Sequence, residues 1–247
     1  GINHVFYHGI TYSPEEAGFP GWLFYASTNF GKSSHFWDEY PLLNTYIANC
    51  QKELQVAKSD NDILLYFPVN DIWTKYRAKK RDILFLFDVH HYKEWFSDAS
   101  FGETAEKLWN NGYTFDYVSD KQIKQLNADA ENNVFINAQS KYKTIIIPKV
   151  DYIPEATLKN LNKLAEQGVK IIFVDEQPGK YCGFPSAEVN SELYKNSNLI
   201  VSQQLFSELR ELGIFNETIK NQGLNFIRKK NKQGHIYFIS NLGRTFN

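Results

Sequence analysis

"YKTIIIPKVDYIPEATLKNLNKLAEQGVKIIFVD", residues Tyr142–Asp175, decides the fold. Its two ends, "YKTIIIPKV" and "VKIIFVD", are continuous apolar runs without alternation, the pattern of strands covered on both faces. Between them Pro154 starts a helix at its favoured first turn, and Leu158, Leu161, Leu164 and Ala165 form the buried stripe before Gly168 closes it. A strand, helix and strand within about thirty residues is a right-handed crossover and calls for a parallel sheet.

The same rhythm extends toward the N-terminus. "DILLYFPV" (Asp62 to Val69) is another doubly covered strand, followed by "FGETAEKLWNNGY", a helix stopped by Gly112, then the strand "TFDYV" and a helix from about Asp120 to Asn127. Residues 59–221 are therefore expected to form an α/β domain, a flavodoxin-like or Rossmann-like parallel sheet flanked by helices.

Residues 1–58 read differently, as a strand-like "GINHVFYHG", a long turn-rich aromatic loop and a helix. After Asp38, the residues Leu42, Leu43, Tyr46, Ile47, Cys50 and Leu54 fall at helical spacing. The loop between strand and helix runs for about thirty residues, and loops that long usually carry function or a partner. Residues 222–247 hold two alternating runs around a turn with Asn231 and Gly234, which predicts a β-hairpin at the entry to a β-domain.

With 43% hydrophobic and 16% aromatic residues, 27 basic against 28 acidic side chains and a net charge of -1, the composition is that of a globular chain. That balance gives no electrostatic case for nucleic acid or a membrane surface, and no apolar stretch is long enough for a membrane span. The chain contains no methionine. It is therefore expected to begin inside a longer product, any leader lying outside it. The aromatic excess suits carbohydrate stacking or an aromatic-rich core.

Several chemistries fail on spacing. Neither "NDIW" after Val69 nor "DYIPE" after Val150 supplies the glycine turn that a dinucleotide needs. Around Cys182, "QPGKYCGFP" sets Gly179 and Gly183 at the wrong distance for a nucleophile elbow, so Cys182, like Cys50, reads as structural. His4 and His8 on a strand would stand about 13 Å apart, and adjacent His90 and His91 diverge, so neither pair predicts a metal site. Glu15, Glu16, Asp38 and Glu39 are explained by loop solvation and helix N-terminal charge.

Taken together, "GINHVFYHGITYSPEEAGFPGWLFYAST", "NDILLYFPVNDIW", "LFDVHH", "FGETAEKLWNNGYTFDYVSD" and "NFIRKKNKQGHIYFISN" resemble the C-terminal part of the catalytic region of glycoside hydrolase family 106, the α-L-rhamnosidases. The resemblance runs across most of the chain, and its first segment is the most specific. It implies that residues 1–58 are the last strand and helix of a (β/α)8 barrel, followed by an α/β domain like the trimerisation domain of some β-galactosidases and then by a β-domain. It further implies an inverting hydrolase of terminal L-rhamnose on plant glycans, periplasmic or secreted, with calcium possible in the full-length enzyme and no cofactor in this fragment. The catalytic carboxylates of that family belong to earlier strands, so no catalytic and no metal-binding residue is carried over. As the eighth strand, residues 2–8 would put Ile2, His4, Phe6 and His8 on one face and Asn3, Val5 and Tyr7 on the other. His8, nearest the C-terminal end, is the first candidate for a hydrogen bond to a sugar hydroxyl and His4 the second, the alternative being a packed histidine. Trp22, with Phe24 and Tyr25, either walls the sugar or pins the loop. The partners implied are a rhamnose-containing glycan and the rest of the protein's own chain. Two further readings of the α/β block stay open: a structural or oligomerisation module, and a stand-alone binding domain.

Overall fold

The computed structural model describes residues 4–9, 11–78, 96, 99–129, 131, 133–136 and 140–242. They divide into two units, one of Gly1–Lys58 with Asn231–Gly234 and one of Ser59–Lys230 with His235–Asn247. The adjacent histidines His90 and His91 lie outside the described residues.

In the smaller unit, Pro41 in the first turn opens helix α1 (Tyr40–Val56). The helical spacing is present, but of that helix only Leu54 is buried, while Leu42, Leu43 and Tyr46 stay exposed. An apolar stripe is covered only where another apolar surface meets it, and a unit this small has little to offer. Residues 4–9 also differ from expectation: they carry no regular secondary structure, because no described strand lies beside them to form a ladder.

After the short strand β1 (Lys58–Ser59), the larger unit begins with β2 (Ile63–Tyr66) and α2 (Val69–Ala78), then α3 (Ser100–Asn110), β3 (Phe115–Val118) and the single turn α4 (Asp120–Ile123). A small antiparallel sheet follows, β4 (Asn127–Ala128), β5 (Val134–Ile136) and β6 (Ser140–Tyr142). Next come β7 (Thr144–Ile147), β8 (Tyr152–Ile153), α5 (Glu155–Glu166), β9 (Lys170–Val174), β10 (Lys180–Tyr181), β11 (Asn198–Ile200) and α6 (Leu205–Glu211). The chain then runs into β12 (Asn225–Asn231) and β13 (Gly234–Ser240), neighbours in one sheet whose turn is closed by Asn231 Oδ1 accepting from the backbone of Gln233 and Gly234.

Five strands form the central sheet in the order β11-β9-β7-β2-β3, every pair parallel. Numbered by their place in the chain this is the flavodoxin-like order, reversing direction between β2 and β7. Alternation along each strand explains why the runs are apolar throughout. Leu64, Tyr66, Ile145, Ile147, Ile171 and Phe173 pack with Leu158, Leu161 and Leu164 of α5 on one face. Ile63, Leu65, Ile146, Ile172 and Val174 pack with Phe101 and Leu108 of α3 and Leu205 and Leu209 of α6 on the other. Each of these side chains contributes about 1.5–3 kcal/mol on leaving water.

Two predicted boundaries shift. The helix at Asp120 ends at Ile123, since Asn127 pairs with Phe135 in the small sheet. Tyr142 belongs to β6 rather than to β7, with Lys143 as the break between them. Gly112 stops α3 as expected and does more: at φ 81° a Cβ there would meet the Glu217 carbonyl oxygen at 2.5 Å. Only glycine admits that approach.

Candidate functional site

In the smaller unit Tyr7 is the anchor of the N-terminal segment. Its hydroxyl donates to Asn44 Oδ1 (2.5 Å), and its ring meets Phe30 at 4.7 Å and Tyr40 at 6.3 Å. Tyr40 donates to the Asn29 carbonyl, and Ser27 to the Gly9 carbonyl, so the long loop is tied at both ends. Around this anchor Tyr7, Phe30, Trp37, Asp38, Pro41 and Asn44 line a concave pocket of about 380 Å³. A few polar groups set among aromatic walls are the usual makeup of a small-molecule site.

The histidines face elsewhere. Both His4 and His8 are exposed. His4 stacks on Phe6 with rings only 10° from parallel and meets Gln55 at 3.3 Å. His8 meets the edge of Phe24 at 5.6 Å, and Phe24 meets Tyr25 at 5.3 Å. Trp22 is held through its backbone N–H, which donates to Ser13 Oγ (2.7 Å), and the residue is 60% exposed. Thus His8, Phe24 and Tyr25 make one aromatic row, His4 has its own neighbours, and the described ring contacts do not bring Trp22 into either. The pocket around Asp38 is the feature that spacing alone missed. Its one trace in the sequence is Tyr7, placed by alternation on the face opposite the histidines.

The larger unit has a second concave region at the carboxyl edge of the parallel sheet, where open α/β sheets take ligands beside the point of strand reversal. Here that crevice is filled from within. Asp71, 3% exposed in the first turn of α2, accepts the backbone N–H groups of Asp151 (2.8 Å) and Tyr152 (3.1 Å) just past β7. Asp120 accepts from Tyr66 (2.8 Å), Thr157 (2.6 Å) and Asn70 (3.2 Å). Burial and the Asp120 carboxylate push the Tyr66 hydroxyl far above its ordinary range, so it stays a donor.

Cys182 lies at the rim of this region. Burial, reinforced by Asp120 and Asp71, pushes its thiol up to about 11. A thiol so placed is protonated at neutral pH and is no nucleophile, as the missing elbow glycines implied. Among the described residues no three His, Cys, Asp or Glu side chains come together in a way that could hold a metal ion.

A family model described as alpha-L-rhamnosidase, Glyco_hydro_106, matches residues 1–246. The rhamnosidase of Novosphingobium sp. PP1Y superposes with a TM-score of 0.53 at 14% identity, over 86% of this chain and 20% of its own. A protein of Formosa agariphila named "Putative beta-glucuronidase" is 22% identical over 259 residues, covering 98% of this chain and 19% of its own length. The chain thus spans about one fifth of these relatives.

Proposed function

Since the chain belongs to glycoside hydrolase family 106, we propose that it is the C-terminal part of the catalytic region of an inverting α-L-rhamnosidase that removes terminal L-rhamnose from plant glycans. The observation that carries this reading is the family match over residues 1–246, which takes in the N-terminal segment and its aromatic loop together with the α/β unit. On this reading residues 1–58 close a (β/α)8 barrel, and residues 222–247 enter a β-domain. The catalytic acid and base stand on strands preceding this chain, in a protein exported to the periplasm or beyond.

An inverting hydrolase needs one carboxylic acid to protonate the leaving oxygen and one carboxylate to activate water on the opposite face of the sugar. This chain's own share is binding. His8 hydrogen-bonds a sugar hydroxyl, His4 does so from four residues earlier, and the exposed face of Trp22 stacks on the ring. The α/β unit supports rather than catalyses, a second reading favoured by Asp71, which occupies the crevice where a nucleotide would sit.

The full-length protein should release nitrophenol from 4-nitrophenyl α-L-rhamnopyranoside, with β-L-rhamnose as the first anomer seen by NMR. His8→Ala should lower kcat/KM by about 3- to 10-fold, the worth of one neutral hydrogen bond. Unchanged turnover in that variant removes His8 from the site, and α-L-rhamnose as first product removes inversion. Release from the β-glucuronide in place of the rhamnoside removes the substrate.

A further inference from the structure

A cleft of about 660 Å³ opens beside the filled crevice of the α/β unit. Its walls are Asn70, Trp73 and Thr74 of α2, Tyr152 of β8, and the Cys182–Ser186 loop. We propose that this cleft is a non-catalytic binding subsite for a neutral oligosaccharide.

Four observations carry the proposal. First, two large rings stand at the cleft with little protein against them, Trp73 at 63% and Phe184 fully exposed. Apolar rings left in water at a concave surface mark a binding face, and flat aromatic faces suit the C–H faces of sugar rings.

Second, among the described residues no lining side chain is charged. Among the described residues, the Asp71 and Asp120 carboxylates stand behind the wall, and their field reaches Cys182. An anionic ligand would meet unfavourable charge from these carboxylates, whereas a neutral one meets none.

Third, the polar groups present are those that recognise hydroxyls. Among the described residues the Tyr152 and Ser186 hydroxyls have no hydrogen-bond partner, while the Asn70 amide is oriented by its bond to Asp120 (3.2 Å). Thr74 donates to the Asn70 carbonyl (3.0 Å) and so keeps acceptor capacity.

Fourth, the frame is fixed. Cys182 N–H donates to the Ile153 carbonyl (3.0 Å) and Tyr181 N–H to the Ala187 carbonyl (2.8 Å), closing the base of the loop that carries Phe184. The Tyr152 N–H is held by Asp71 on the other side. A site whose walls are set before binding spends little of its affinity on ordering them. The volume falls within the range of ligand clefts.

The inference does not depend on the hydrolytic reading, and its test needs no turnover. In a 15N-labelled sample of the full-length protein each tryptophan gives one indole N–H signal, and Trp73→Phe identifies the one that belongs to the cleft. Rutinose and cellobiose, neutral disaccharides with and without rhamnose, are titrated to tens of millimolar, with sodium glucuronate as the charged control. The Trp73 signal should move saturably with at least one disaccharide and stay in place with glucuronate. Phe184→Ala should weaken that binding by about 3- to 10-fold, the worth of one stacking contact. An unmoved Trp73 signal with both disaccharides overturns the proposal, as does equal binding in Phe184→Ala or an equal response to glucuronate. Phe184 is fully exposed, so its truncation uncovers no core, and the unmoved remaining indole signals of Phe184→Ala check that the variant is folded.

Discussion

Asp71 and Asp151, 80 positions apart, meet as acceptor and donor: the Asp71 carboxylate takes the Asp151 backbone N–H at 2.8 Å and, through the same oxygen, that of Tyr152 at 3.1 Å. One buried side chain thereby ties the start of α2 to the loop leaving β7, across the point where the strand order turns back.

Asp71→Ala should cost about 2–4 kcal/mol, because two amides lose a charged acceptor in a place water reaches poorly. Asp71→Asn keeps an acceptor oxygen and should lose less than half of that. Urea denaturation followed by circular dichroism measures both, and equal losses would show that charge rather than hydrogen bonding matters.

Arg228 on β12 is the electrostatic hub of the larger unit. Its guanidinium, 12% exposed, meets Asp60, Asp62 and Glu217 at 2.7 to 2.9 Å and also donates to the Asp60 carbonyl. Burial works against its charge, but the bonds to Glu217 and Asp62 outweigh that and hold the guanidinium above its usual range. Arg228→Met leaves three carboxylates facing one another and should cost about 3–5 kcal/mol. Arg228→Lys keeps the charge without the planar fork and should recover only part of it. Melting temperatures at low salt separate the two.

Asp129 and Lys141 pair at 2.6 Å across the small antiparallel sheet. The Lys141 ammonium, helped by the Asn133 and Glu131 amides, holds the Asp129 carboxyl at about 2, below the usual carboxylate range. A carboxyl whose folded value is depressed stabilises above its unfolded value, and that stability is lost as the pH falls through the folded one. The difference in melting temperature between the native chain and Asp129→Asn should be full at about pH 5 and close by about pH 2. A constant difference over that window would remove the ion pair as its source.

For Cys182 the expectation is kinetic. With a thiol near 11, iodoacetamide should label it in a Cys50→Ser background at a rate rising about tenfold per pH unit through the alkaline range. Fast labelling at neutral pH would show a thiolate and reopen nucleophilic chemistry.

The parallel sheet was legible because its strands are apolar on both faces, and Ile63–Tyr66, Thr144–Ile147 and Lys170–Val174 could not be read as anything else. Asn198–Ile200 escaped notice because it is an edge strand with only Ile200 buried. The antiparallel strands around Val134 are two or three residues long, too short for a period to show. At the candidate site, alternation set Tyr7 on the face opposite His4 and His8, whereas residues 4–9 carry no strand. It gave no hint of the pocket at Asp38, which is assembled by ring contacts between Tyr7, Phe30 and Tyr40 across the loop. The cleft at Trp73 and Phe184 was equally silent, since its two walls lie about a hundred residues apart and neither carries a motif.

Chain order and energetic order diverge at Arg228. A cut after residue 221 keeps all five strands of the parallel sheet, yet strands Asp60, Asp62 and Glu217 without their shared cation. A terminal deletion that looks harmless on a map of elements would therefore release the kind of repulsion that acid-rich surfaces suffer at low salt. For this protein β12 is a counter-ion delivered by the polypeptide itself, and no truncation that removes residue 228 is neutral.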